Sequence, residues 1–383
     1  MDDIISGKAS VDKLLPIEIE DLLYRKKISS PVINSDLFRD SVVCITGAGG
    51  SIGSELSIQI LKLEPKKLIL FEQNELALYT IYNELLLLKN EKTLIKPLLG
   101  NTCDFELVRK VFKDENVSFV YHAAAYKHVP LVESNPIAGI ENNVFSTLSI
   151  CEAAYVEGVK NLILISTDKA VRPLNVMGAS KRVAELIVQF YSKKIRLSEK
   201  KKSLSFSMVR FGNVLNSSGS VVPLFKKQIS SGGPITITHT DVIRYFMTIS
   251  EAVGLVINAS SFASGGEVFL LDMGKPVKIK DLALKMINLS GLSLKDESNP
   301  NGDIEIIYSG LRPGEKLFEE LLIDGKSSKT KHPQIYFALE NNLLFEDLMD
   351  ILNSLKIAVS EQNKELVLSL LKKLVPEWKS NCN

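Results

Sequence analysis

Val42-Val43-Cys44-Ile45-Thr46-Gly47-Ala48-Gly49-Gly50-Ser51-Ile52-Gly53 joins a short β-branched run to a glycine-dense turn and the start of an amphipathic stretch. The run predicts a buried strand and the stretch a helix. Gly47 permits a tight strand-to-helix turn, Gly50 lets backbone N–H groups approach a pyrophosphate, and Gly53 lets the helix pack closely on the sheet. Ser51 and Ile52 then lie in a helical first turn, where negative charge is favoured. The same glycine spacing also occurs as a plain turn in unrelated α/β proteins, so its surroundings decide.

Working outward, Lys67–Phe71, Phe119–His122, Asn161–Ser166 and Phe206–Phe211 repeat the strand pattern and alternate with amphipathic stretches. Such alternation predicts an α/β fold, a doubly wound parallel sheet of Rossmann type with helices on both faces. Glu72, at the end of the second strand, can accept hydrogen bonds from an adenosine ribose diol and would repel a 2′-phosphate. NAD is therefore expected in preference to NADP. A solvated acid at a strand end is the plain alternative, and Gln73-Asn74-Glu75 leaves the register open by a few residues.

The expected division is an N-terminal helical arm over 1–40 (Ile17, Ile19, Leu22, Leu23, then Ser29-Ser30-Pro31) and a NAD-binding Rossmann domain over 41–212. A smaller C-terminal α/β substrate lobe over 213–335 follows, sharing some strands and helices with the Rossmann domain. It opens on a Gly/Ser/Pro-rich stretch and includes a helix beginning near Thr248. Terminal helices over 336–383 carry Leu344, Leu348, Leu352 and Leu355 at helical spacing.

Among 383 residues, 45% are hydrophobic and 24% charged, an ordinary globular balance able to bury a sizeable core. The net charge of +1 gives nothing global to recruit nucleic acid or an anionic membrane. Cys44, Cys103, Cys151 and Cys382 are scattered without CxxC spacing and read as free thiols in a reducing cytoplasm. No apolar run approaches the roughly 20 residues that span a bilayer, and no His/Asp/Glu group has metal-ligand spacing.

Ile165-Ser166-Thr167-Asp168-Lys169-Ala170 closes a strand, and Met177-Gly178-Ala179-Ser180-Lys181-Arg182 opens a helix. In an open α/β sheet ligands bind beyond the carboxyl ends of the strands, which places Thr167, Asp168 and Lys169 there. Met177 and Lys181 lie one helical turn apart on one face, so Lys181 can reach a cofactor ribose. For Asp168-Lys169 alone, a surface ion pair in a loop is the alternative.

With these residues in view, the sequence resembles the extended short-chain dehydrogenases, and within them the polysaccharide-biosynthesis UDP-N-acetylglucosamine 4,6-dehydratases. The resemblance covers about residues 10 to 330. It is carried by Thr46 to Gly53, Ala123-Ala124-Ala125-Tyr126-Lys127-His128-Val129-Pro130, Asn143-Val144, Ser166 to Val171, Arg210-Phe211-Gly212-Asn213-Val214-Leu215 and Arg312-Pro313-Gly314-Glu315-Lys316. It implies a NAD pocket that also draws on Asn101, Thr102, Ala123, Ala124, Ala125 and Asn143, the last helping to position the active-site lysine. Asn101 stands where many relatives carry an aspartate near the adenine. Lys127, Asn213, Arg244 and Arg312 are implied on the sugar-nucleotide side, the arginine fork suiting phosphate oxygens. Singly, either arginine also reads as a surface charge, and His128 as a structural histidine.

One departure bears on mechanism. The superfamily's Tyr-x-x-x-Lys stands here as Met177-x-x-x-Lys181, and a thioether has no proton to exchange, so Met177 cannot be a base. Such a methionine resembles the configuration-retaining branch of these dehydratases. The chemistry implied is hydride removal from sugar C4, loss of water across C5 and C6, and hydride return to C6. Asp168 is expected as acid, and Lys169 as base with its amine weakened by burial near Lys181. The 4-hydroxyl proton then leaves through Thr167 or water towards Asp168. The alternatives are the same reaction on a GDP- or dTDP-linked sugar, a C5-inverting dehydratase, a redox enzyme or 4-epimerase, and a non-catalytic NAD-binding protein.

Family members pair through helices flanking the fourth and fifth strands, which implies a homodimer or higher homo-oligomer. Members commonly carry N-terminal membrane helices, and Leu15 to Leu23 is similar to the stretch that follows them. The chain is expected not to cross a membrane by itself, to be cytoplasmic, and to partner a UDP-linked amino sugar rather than nucleic acid.

Overall fold

The computed structural model describes residue 22 and residues 35–88, 92–198, 203–320, 327–340 and 347–379. The helix expected around Ile17 and Ile19, the Ser29-Ser30-Pro31 link, Leu344 and Cys382 lie outside these residues. The described residues fall into two compact units. The larger comprises residues 35–211, 252–272 and 320–379, and the smaller comprises Leu22 with residues 212–251 and 273–319. Residues 252–272 and 320–335, within the span expected to form the smaller lobe, thus belong to the larger unit.

The larger unit is built on nine strands: β1 (Val42–Thr46), β2 (Lys67–Glu72), β3 (Leu94–Leu99), β4 (Phe119–His122), β5 (Asn161–Thr167), β6 (Ser205–Phe211), β7 (Val268–Leu271), β8 (Ser328–Lys329) and β9 (Ile335–Ala338). They lie in the order β8-β9-β7-β6-β5-β4-β1-β2-β3. The pairs from β3 through β7 are parallel, while β9 pairs antiparallel with β7 and β8. This is the doubly wound arrangement expected, with the strand order reversing between β1 and β4. Five strands begin and end within one residue of the sequence reading. β3 escaped it because Lys96 and Pro97 interrupt its apolar pattern, which an edge strand tolerates.

The helices are α1 (Ser51–Leu61), α2 (Glu75–Leu88), α3 (Phe105–Glu115), α4 (Ser146–Glu157), α5 (Val176–Leu197), α6 (Ile249–Ser260), α7 (Leu348–Ser360) and α8 (Lys364–Leu374). α6 begins as expected after Thr248, which exchanges hydrogen bonds with Glu251 in a capping box. Val183, Ile187 and Tyr191 of α5 enter one continuous apolar core with Leu352 and Leu355 of α7 and Leu371 and Leu374 of α8. Among the described residues no helix is long and apolar enough to cross a membrane.

In the smaller unit, three parallel strands (Leu294–Lys295, Ile304–Tyr308 and Ile235–Ile237) share a separate core with the helices Val221–Ser230 and Ile279–Leu289. Phe225, Ile229, Ile235, Leu282 and Met286 fill it, and Leu22 joins them.

Candidate active site

At the switch point of the large sheet, Gly47 N donates to Phe71 O at 2.9 Å and Gly50 N to Gly47 O at 3.0 Å, folding the turn back on itself. Gly53 lies so near this turn that a β-carbon there would stand 2.0 Å from Gly47 O, so any side chain would push α1 off the loop. Gly50 caps α1 without a side-chain hydrogen bond, the arrangement in which helix N–H groups serve an anion. Ser51 and Ile52 form the first helical positions. Glu72 ends β2 and turns its carboxylate towards the same loop, accepting from Gly49 N at 3.1 Å and from Gln73 N and Asn74 N. Asn101 follows β3, its side-chain oxygen held by Cys103 N at 2.9 Å, with Thr102 buried beside it. Ala123, whose N–H bonds to Thr46 O, opens the Ala123-Ala124-Ala125 segment that passes against Gly47.

Behind this cradle runs a hydrogen-bonded chain that the sequence reading passed over. Thr147 Oγ1 donates to Asn143 O at 2.8 Å, so it accepts from His122 Nε2 at 3.1 Å. His122 Nδ1 then accepts from Thr46 Oγ1 at 2.7 Å, which itself accepts from Ala124 N. Every proton in the chain is spoken for, which fixes a neutral ring protonated at Nε2. Burial, aided by the nearby Lys181 charge, pushes the His122 imidazole down to about 3. Asn143 sits in a π-helical turn, Glu141–Phe145, of the kind that recurs at functional sites. Its side chain grips the Tyr126 backbone at 2.7 and 3.0 Å and Ser180 Oγ at 3.0 Å. Its side-chain bonds therefore go to the β4 loop and α5, one residue short of the lysine that the resemblance assigned to it.

Thr167, Asp168 and Lys169 follow one another where β5 ends and a short 3₁₀ turn begins. Thr167 Oγ1 donates to Asp168 Oδ1 at 2.9 Å, and Lys169 Nζ reaches the same oxygen at 3.0 Å. The Asp168 side chain is 3% exposed and that of Lys169 24%, so the pair is sunk into the surface with its lysine outermost. Next in the loop, Arg172 holds φ at 42°, a left-handed conformation costly for a residue with a side chain and characteristic of functional loops.

α5 then starts from Asn175, which caps Gly178 N at 2.7 Å. A β-carbon at Gly178 would stand 2.3 Å from Lys169 O, so the glycine lets α5 close on the Thr167-Asp168-Lys169 turn. Lys181 is buried, donates to Ile165 O at 2.7 Å, and is pushed by its burial down to about 8, with a smaller opposing pull from Glu185. Met177 is 3% exposed and packs into the main core, which suits an apolar thioether. Lys127 lies exposed after β4, its amine lowered by partial burial. Among the described residues no cluster could hold a metal ion.

The other predicted positions belong to the smaller unit. Asn213 pairs with Phe246 in a short parallel bridge. Arg244, 7% exposed, gives its guanidinium to the carbonyls of Ile243, Leu317 and Lys316 and to Glu315. It thereby builds the loop that carries Arg312, whereas a diphosphate clamp was expected. Arg312 itself is exposed, with Glu315 accepting from its backbone N–H.

Comparison with known proteins agrees with this architecture. Residues 43–340 match the family described as polysaccharide biosynthesis protein. The capsular polysaccharide biosynthesis protein CapD of Staphylococcus aureus is 44% identical over 364 residues, covering 91% of this chain and 58% of that protein. The probable polysaccharide biosynthesis protein EpsC of Bacillus subtilis is 43% identical and covered over 52% of its length, so the chain spans little more than half of these two relatives. A UDP-N-acetylglucosamine 4,6-dehydratase (inverting) of Campylobacter jejuni is 32% identical over 81% of this chain and 86% of its own. The X-ray structure of Pen from Bacillus thuringiensis superposes with a TM-score of 0.70 at 32% identity, over 80% of this chain and 88% of that one. At 19% identity, the dTDP-glucose 4,6-dehydratase of Streptomyces venezuelae, solved with NAD bound, shares the fold with a TM-score of 0.57 over 72% of this chain and 86% of its own.

Proposed function

The chain belongs to the polysaccharide biosynthesis protein family, and from that premise we propose that it is a UDP-N-acetylglucosamine 4,6-dehydratase, of the configuration-retaining kind because Met177 stands where the superfamily carries tyrosine. The observation that carries the reading is the Asp168-Lys169 pair, a buried carboxylate and an outward amine 3.0 Å apart at the end of a central parallel strand. Elimination across C5 and C6 needs an acid at O6 and a base at C5, two opposite duties at neighbouring atoms. Hydride exchange alone, as in epimerisation, needs neither.

The residues around the glycine turn fit a dinucleotide. The uncapped start of α1 supplies N–H donors for the pyrophosphate, Glu72 the carboxylate for a ribose diol, and Lys181 an ammonium for the second ribose. Asn101, Thr102, Ala123, Ala124, Ala125 and Asn143 complete the cradle. NAD is favoured because the Glu72 carboxylate repels a 2′-phosphate. When bound, NAD would supply a reversible hydride store for chemistry at sugar C4 and C6.

The chain's own groups manage the protons. With Asp168 ionised and Lys169 a neutral amine, the 4-hydroxyl proton passes through Thr167 Oγ1, already bonded to Asp168, in place of the missing tyrosine, and makes Asp168 the acid. Lys169 takes the C5 proton made acidic by the C4 ketone while Asp168 delivers its proton to the departing O6, and Lys169 gives its proton back to C5 as C6 is reduced, so both groups recover their starting states. In the smaller unit Asn213 and Arg312 are the groups proposed for the sugar nucleotide, with Arg244 shaping the Arg312 loop; in the larger unit Lys127 is the cation proposed for it.

The test is incubation of the purified protein with UDP-N-acetylglucosamine, without and then with added NAD, followed by mass spectrometry. Loss of one water without net NADH is expected. Failure with this substrate and with GDP- and dTDP-linked sugars would overturn the reading.

A further inference from the structure

Beneath the Thr167-Asp168-Lys169 turn lies a charged cluster that the proton transfers do not use. Glu185, fully buried one helical turn beyond Lys181, accepts from Ser166 Oγ at 2.6 Å, from Arg210 Nε and Nη2 at 2.7 Å each, and from Arg182 Nη1 at 2.9 Å. Arg210, also fully buried, turns its other edge to Glu340 at 2.6 and 3.0 Å, and Arg182 joins Glu340 at 2.8 Å and Glu377 at 3.3 Å. Burial opposes the Glu185 charge, yet Arg210 and Arg182 together hold its carboxyl down at about 2.

A cluster of this kind is a poor device for stability, since well-packed apolar residues of similar volume often serve a core as well or better. Its attachments indicate another use. Ser166 immediately precedes Thr167, Arg182 immediately follows Lys181, and Glu340 and Glu377 bring in the segment that follows β9 and the one that follows α8. The latter segment also touches the catalytic loop, with Lys379 N donating to Pro173 O at 3.1 Å. The end of β5 and β6 thus bond Glu185 directly, and the segments after β9 and α8 connect to it through the two arginines.

We propose that Glu185 is a positioning residue that, through Ser166 and the two arginines, fixes the Thr167-Asp168-Lys169 turn relative to Lys181. The kinetic part of this inference rests on the dehydratase reading.

Ser166→Ala removes one hydrogen bond from the cluster and leaves its charges paired. Its kcat is expected to fall five- to tenfold at unchanged KM and cofactor content, with a melting temperature near that of the parent. Parental kcat, or a loss only in proportion to unfolded protein, would overturn the proposal. Glu185→Gln gives a readout independent of turnover. In cofactor-free protein the backbone amide NMR signals of Asp168 and Lys169, which Glu185 does not touch, are expected to shift and broaden, and parental signals there would also count against the proposal. Should Glu185→Gln not fold, Ser166→Ala decides alone, by turnover and by the same signals. A parent inactive on every sugar nucleotide would sink the dehydratase reading, and these amide signals would still test the positioning.

Discussion

Lys181 is a single buried ammonium whose burial opposes folding. Its folded value of about 8 lies below the 10.5 of an unfolded lysine, so between those limits the unfolded chain binds the extra proton and stability rises with pH. The penalty is full below pH 8. Lys181→Met is therefore expected to raise the unfolding free energy measured in urea at pH 7 by about 1–2 kcal/mol after loss of the bond to Ile165, while abolishing turnover. The same group predicts that kcat/KM falls as pH rises through about 8 in the free enzyme, and that Lys181→Arg removes this limb. At the acid–base pair, Asp168→Asn and Lys169→Met should each lower product formation by roughly 10²- to 10⁴-fold. Bound NAD, measured by absorbance after denaturation, should remain. Near-parental turnover in either variant would remove that residue from the mechanism.

At the scale of elements, the junction of β5 with α5 depends on a missing side chain. Gly178→Ala would drive a methyl group against the Lys169 carbonyl, and a loss of about 1–3 kcal/mol in chemical unfolding is expected. β4 contributes the buried His122, whose depressed value means that stability fades as pH falls below the 6.5 of an unfolded histidine towards 3. The slope from this residue approaches about 1.4 kcal/mol per pH unit. His122→Gln should flatten that limb in urea titrations between pH 4 and 7, and an unaltered slope would place acid sensitivity elsewhere. These elements also show what the sequence made legible. β1, β4 and β5 could be read because a central parallel strand is apolar on both faces and ends at a glycine or a polar cluster. The grouping at the end of β5 stood out because Thr167, Asp168 and Lys169 are contiguous. The His122 chain and the Glu185 cluster were hidden because their partners lie far apart in sequence, Thr46 with His122 and Arg210 with Glu340. A buried arginine in a strand looks like any other until its carboxylates are in place.

For the whole molecule, cofactor binding and folding stability are linked, because a ligand held only by the folded state adds to its stability. Stripped protein is expected to melt several degrees lower, and NAD at a hundredfold excess over Kd restores about 2.7 kcal/mol. NADP should give no such shift, and Glu72→Ser should erase the difference; equal shifts by both nucleotides in the parent would contradict the role given to Glu72. The chain passes between its two compact units five times, once between Leu22 and residue 35 and then near residues 211, 251, 272 and 319, so neither unit is one uninterrupted length of polypeptide. Arg210 adds a consequence of a different kind. Its guanidinium protons are sealed between β6, α5 and Glu340, and water can replace them only when that packing parts. Their deuterium exchange, followed against time, would act as a clock on the opening of the protein's interior, read from a side chain where backbone amides ordinarily serve.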